Sequence, residues 1–153
     1  MARKSSPRAR VTMFIAARPE QVYAAFVEPD MLTKFWLSKA SGPLQLGETV
    51  HWNFMVEGAE VDTTATLMDD GRRLAWDWGD ESKVTIELER LENGTAVTLV
   101  NDGFAQKGEK LVEAALDATE GFAIVLADLK TLLESGTSAG ITKGKAKLIA
   151  LRR

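Results

Sequence analysis

The chain has no cysteine, which excludes a disulfide framework and any thiolate metal or redox centre. Its one histidine, His51, leaves room for a metal only in a site built mostly of carboxylates. No serine has a histidine near it in sequence, so no catalytic triad is visible. A phosphate-cradling loop is missing too, because Asp69-Asp70-Gly71 is a turn with no helix pattern behind it. No segment approaches 18 consecutive apolar residues, so no membrane helix is expected. The apolar run Val11 to Ala17 follows a basic start but is stopped by Arg18-Pro19-Glu20, too short for a signal peptide. These absences predict a cytoplasmic protein with no membrane partner, no metal, no cofactor and no assignable catalytic residue. Enzyme activity is disfavoured but left open.

What is present is an ordinary globular composition with segregated charge. The 153 residues are 45% hydrophobic, enough for one domain with a real core. Residues 1–10 hold Arg3, Lys4, Arg8 and Arg10, and residues 136–153 hold Lys143, Lys145, Lys147, Arg152 and Arg153, with no acid in either stretch. All 22 acidic residues lie in 11–135 beside the other ten basic ones. The body is therefore strongly acidic between basic tails. The tails lack interleaved aromatics, which disfavours nucleic acid as a partner and favours simple solubilising segments. The expected organisation is a basic N-terminal tail (1–10), one domain (11–136) and a basic C-terminal tail (137–153). That last tail is either disordered or adds a short helix at Lys145 to Leu151.

Periodicity within the domain changes twice. A strand at Val11, Met13 and Ile15 leads to a short helix over about 19–27, with Pro19 at its first position and Val22, Tyr23, Phe26 and Val27 on one face. Pro29 ends it, and Asp30 is placed to cap a second short helix through Leu32, Phe35 and Trp36. From residue 48 the period is two. Val50, Trp52 and Phe54 alternate with polar neighbours, then Val61, Thr63, Ala65 and Leu67, then Leu74, Trp76 and Trp78, then Val84, Ile86 and Leu88, then Val97 and Leu99. Glu57-Gly58, Asp69-Asp70-Gly71, Gly79-Asp80 and Asn93-Gly94 join these runs by turns, so the sheet is an antiparallel meander. The period then becomes helical. Leu111, Ala115, Ala118, Phe122, Leu126, Leu129 and Leu133 stripe one face of a helix over 109–135. The predicted fold class is α+β, with two short helices after the first strand and a long C-terminal helix across a curved six-stranded sheet.

This order of elements resembles the START-like helix-grip superfamily, whose members enclose a pocket between a curved antiparallel sheet and a long C-terminal helix. Within it, Pro19-Glu20-Gln21-Val22-Tyr23-Ala24-Ala25-Phe26, followed by Pro29, Leu32, Phe35 and Trp36, resembles the family named for activators of the heat-shock-protein-90 ATPase. Gly121-Phe122 through Leu126 and Leu129 to Leu133-Glu134-Ser135-Gly136 resembles that family's closing helix, with Phe122 where tryptophan is usual. The resemblance spans roughly 11–136 and implies a pocket for a small hydrophobic molecule. It also raises a chaperone or other protein partner as an alternative. It assigns no catalytic residue.

The candidate ligand-binding residues are those whose parity faces the sheet's hollow. Trp52, Trp76 and Trp78 share that face with Phe54, Thr63 and Leu99, and they either line an apolar pocket or simply fill it. Phe35 and Trp36 stand where such folds have their pocket mouth, as a gate or as packing. Gly121, Phe122 and Leu126 form the helix wall. Gly121 costs about 1 kcal/mol against alanine inside a helix, so it is either a tolerated defect or a point of close approach by the sheet or a ligand, and the glycine of the resembling family at this point implies the close approach. His51 has outward parity, as have Glu60, Asp62 and Asp77. A homodimer is compatible with the sequence, but no residue marks its interface. A pocket enzyme of cyclase or hydrolase type is the third reading, with Thr63 and Asn101 as the only inward polar groups.

Overall fold

The first strand starts two residues earlier than its alternation suggests, because Ala9 is already buried beside Val11 and Ile15. The computed structural model describes residues 6–152, so Arg3, Lys4 and Arg153 of the expected tails lie outside the described residues. Strand β1 (Ala9–Ile15) is followed by helices α1 (Pro19–Val27) and α2 (Pro29–Phe35). Gln21 Oε1 accepts the Arg18 amide at 3.0 Å at the start of α1. Pro29 does two jobs, closing α1 and standing at the first position of α2, so Glu28 and not Asp30 is the cap residue there.

Six further strands follow: β2 (Leu37–Ala40), β3 (Thr49–Phe54), β4 (Glu60–Asp69), β5 (Arg73–Trp78), β6 (Lys83–Leu91) and β7 (Gly94–Asp102). The sheet therefore has seven strands, not six, in the order β1-β7-β6-β5-β4-β3-β2, with every pairing antiparallel. The extra strand is β2, an edge strand with a register shift between Leu37 and Lys39. A second irregularity between Ala65 and Leu67 changes the parity of β4. Beyond it Met68 faces Leu74 and packs against the core, and Leu67 is turned away, contrary to the simple alternation.

The remaining elements are helical: α3 (Glu109–Ser135) and α4 (Ile141–Leu151). Leu111 lies near Arg8 at one end of α3, and Glu134 meets Ala16 at the other, so α3 runs the length of β1. Its buried face is Ala115, Phe122, Val125, Leu126, Leu129 and Leu132, together with Asp128. The lower end of α3 is latched to the sheet. Glu134 Oε2 accepts the Ala16 amide at 2.8 Å and a bond from Lys130 Nζ at 2.7 Å. Lys130 Nζ also donates to the Phe14 carbonyl at 2.8 Å. The Ala16 amide first, and then Lys130, hold the Glu134 carboxyl below the ordinary glutamate range.

The C-terminal segment forms a packed helix that starts four residues before the Lys145 to Leu151 expected for it. The α3 helix ends at Gly136, the next turn carries a second left-handed glycine at Gly140, and α4 folds back onto α3. Neither glycine supplies a side-chain cap. The α4 N-terminus is instead capped from α3, where Asp128, 1% exposed, accepts the Thr142 amide at 2.9 Å and a short bond from Ser138 Oγ. The core lies between the sheet and α1, α2 and α3, and its largest fully buried side chains include Trp52, Trp76, Phe26 and Phe35.

Candidate functional site

Alternation on three neighbouring strands builds the site's floor. Trp52 on β3 pairs with Val61, Val50 with Thr63, Thr63 with Trp78, and Ala65 with Trp76. All these residues point to the same sheet face, so three indoles converge. A fourth arrives from the end of α2. Trp36 follows the last residue of that helix, and its ring centroid lies 5.2 Å from Trp52, 6.1 Å from Trp76 and 6.2 Å from Trp78. Phe54 and Phe122 flank it at 5.8 Å and 5.9 Å. Trp36 is the hub of this cluster, and most of its ring pairs are edge-on or tilted, as the aromatic quadrupole favours.

Beside the cluster opens a cleft of about 540 Å³, within the range of roughly 300–1,000 Å³ usual for small-molecule sites. Trp36, Phe54, Trp78 and Phe122 supply its aromatic wall. The tip of the β3–β4 hairpin adds Met55, Val56 and Ala59. The middle of α3 adds Ala118, Gly121 and Val125, and α4 closes the remaining side with Thr142, Ala146 and Ile149. The charged residues on its wall are Asp117, Glu120 and Lys145, and Lys145 Nζ pairs with Glu120 Oε1 at 2.6 Å. That pair is exposed, so it orients α4 on α3 more than it stabilises the fold.

Of the residues expected to bind a ligand, the structure brings Trp36, Phe54, Trp78, Gly121 and Phe122 to the cleft wall. It packs Phe35, Trp52, Thr63, Trp76, Leu99 and Leu126 fully inside. Phe35 does not stand at the mouth. It lies edge-on to Phe26 at 5.6 Å because the α2 face that carries Leu32 turns it into the core. Gly121 is not a point of close approach by the sheet, since a Cβ built there meets nothing within 4 Å. The glycine leaves the cleft wall low at that point. His51 lies on the outer sheet face, its Nδ1 2.8 Å from Asp62 Oδ1.

The sequence offers a helix at Lys145 to Leu151 only as one alternative for the C-terminal tail and does not place it on the cleft wall. The signal was present as Thr142, Lys145, Ala146 and Ile149 at three- and four-residue steps, but surrounding lysines and glycines made the segment read as a tail.

Four buried side-chain polar atoms stand out among the described residues. Trp52 Nε1, Trp76 Nε1, Thr63 Oγ1 and Thr142 Oγ1 are buried with no hydrogen-bond partner among the described residues. Such groups are uncommon in folded proteins, and each costs about 1–3 kcal/mol.

Residues 16–134 match the family model described as Activator of Hsp90 ATPase homolog 1-like protein. Among solved structures, the chain is similar to a protein of Staphylococcus saprophyticus at 27% identity and a TM-score of 0.75, covering 86% of this chain and 94% of that one. It is similar in fold to the Aha1 dimer of Colwellia psychrerythraea at 23% identity and a TM-score of 0.72, over 83% of this chain and 96% of that one. It also shares its fold with DynU16, a putative protein of the dynemicin biosynthetic locus, at 19% identity and a TM-score of 0.76. That match covers 88% of this chain but 49% of DynU16. Comparison with curated proteins gives no match.

Proposed function

Because the chain belongs to the Activator of Hsp90 ATPase homolog 1-like family, whose fold leaves a cleft beside the long helix, we propose that it is a binding module for a small hydrophobic molecule. One observation carries the reading: the cleft of about 540 Å³ is walled by Trp36, Phe54, Trp78 and Phe122. Flat aromatic or alicyclic molecules suit such a wall, because ring faces and edges bury large area with little loss of side-chain freedom. The low point at Gly121 adds depth without disturbing the helix, and α4 supplies the remaining cover.

Tryptophan fluorescence tests the proposal directly. A saturable shift on titration with a panel of hydrophobic molecules is expected, and Trp78→Ala weakens it while the domain stays folded. A spectrum indifferent to the whole panel sinks the reading. Self-association is proposed as a separate property, supported by the description of one similar structure as a dimer. Sedimentation at several protein concentrations tests it, and a monomer throughout refutes it. A cytoplasmic location is supported by the lack of cysteine and is tested by fractionation.

A further inference from the structure

Behind the cleft's aromatic wall lie three of the unpartnered atoms, Trp52 Nε1, Trp76 Nε1 and Thr63 Oγ1. They belong to adjacent strands and to one sheet face. All three side chains are 0% exposed. Trp36 both lines the cleft and lies against Trp52 and Trp76, and Trp78 does the same at 5.8 Å from each. The two rings that carry the buried indole donors are therefore in contact with rings of the cleft wall. We propose that Trp52, Trp76 and Thr63 form an inner polar subsite, which receives a neutral acceptor oxygen carried on an apolar ring body that enters past Trp36.

The chemistry of the three groups selects that oxygen. An indole N–H only donates, and a threonine hydroxyl donates or accepts. Two obligate donors match a carbonyl or hydroxyl oxygen and repel an ammonium. A carboxylate is selected against for a different reason. The buried polar or charged side chains of the described residues are Thr63, Ser82, Thr95, Asn101 and Asp128, with no cation among them. An anion taken to this depth would have no counter-charge. A neutral ketone or phenol satisfies the donors and leaves its rings against Trp36, Phe54 and Phe122. This rests on the cleft being a binding site, and adds which end of the ligand goes in first.

The test compares two probes of one carbon skeleton, 1-tetralone and tetralin, by titration into the 15N-labelled full chain. The four indole N–H signals are read directly and assigned through their NOEs. Both probes are expected to bind, the ketone about threefold to tenfold more tightly, as one satisfied hydrogen bond allows. Only the ketone should move the Trp52 and Trp76 signals downfield. Thr63→Val, which keeps the side chain's shape, should shrink the preference for the ketone. Equal affinity with unmoved Trp52 and Trp76 signals overturns the subsite and leaves the cleft reading standing. So do Trp52 and Trp76 signals already at hydrogen-bonded positions in the free protein and indifferent to the ketone, which would assign those donors to buried water. Failure of both probes to bind overturns the cleft reading and the subsite with it.

Discussion

The Asp128 carboxylate of α3 accepts the backbone N–H of Thr142 at 2.9 Å, so one helix caps the next across a five-residue connection. Ser138 Oγ donates to the same carboxylate, and Asp128 is 1% exposed. The position of α4, and with it one wall of the cleft, depends on a carboxylate that lies outside the apolar stripe of α3.

Asp128→Ala should lower stability by about 1–2 kcal/mol, the usual cost of a lost helix cap. It should also loosen α4 selectively. Limited trypsin digestion checks this: cleavage at Lys143, Lys145 and Lys147 should accelerate ahead of cleavage elsewhere.

Gly121→Ala should stabilise the chain by up to about 1 kcal/mol, because the helix gains propensity and the new Cβ meets nothing within 4 Å. Gly121→Leu should instead reduce uptake of a hydrophobic probe more than Ala118→Gly does. Urea denaturation and probe titration read the two effects separately.

Trp76→Ala should cost about 3–5 kcal/mol, as for a fully buried large aromatic side chain, because Trp76 is 0% exposed within the ring cluster. Trp78 is only half-buried, and Trp78→Ala should cost less. Denaturation midpoints rank the two.

The Glu134 latch should give the stability a pH dependence of definite sign. The Ala16 amide and Lys130 lower the folded-state pKa of Glu134, so the unfolded chain takes up the proton first. Its contribution is complete above the ordinary glutamate value and is lost as pH falls from there through the lowered folded value. The stability gap between the native chain and Glu134→Gln should therefore be full at neutral pH and close in acid. Urea midpoints measured from pH 7 downward check the direction.

Gly94→Ala should destabilise by about 1–3 kcal/mol, in the range of overpacked sites. A Cβ there would lie 2.5 Å from the Ile15 carbonyl oxygen and equally close to the Phe14 ring. Thermal unfolding checks it.

That glycine also shows how far the sequence could be read. Asn93-Gly94 marks the hairpin correctly, but the turn is made by Glu92 and Asn93, with Asn93 at φ 68°, and Gly94 already pairs with Leu91 in the ladder. The alternation on β3, β5 and β6 and the stripe of α3 were legible because long runs repeat one period against one surface. The β2 strand was not, since it is four residues long with a register shift after its one fully buried residue, Leu37. The bulge at Thr66 is invisible for a similar reason: an extra residue leaves composition unchanged and only reverses the parity beyond it. At the site, parity identified the inward tryptophans but not their depth. Depth depends on Trp36 and α4, which arrive from elsewhere in the chain.

The brevity that hides β2 has its own use. As the last strand of the sheet it presents an open row of backbone donors and acceptors, the kind of edge on which a second chain can grow. Here that row is short, its register is broken, and it carries a lysine at Lys39. Ser38 also turns its hydroxyl inward, to the Asn53 and Phe54 carbonyls at 3.3 Å and 3.0 Å. Such an edge is a poor template for sheet extension, so the chain carries its own guard against fibril-like stacking on this side.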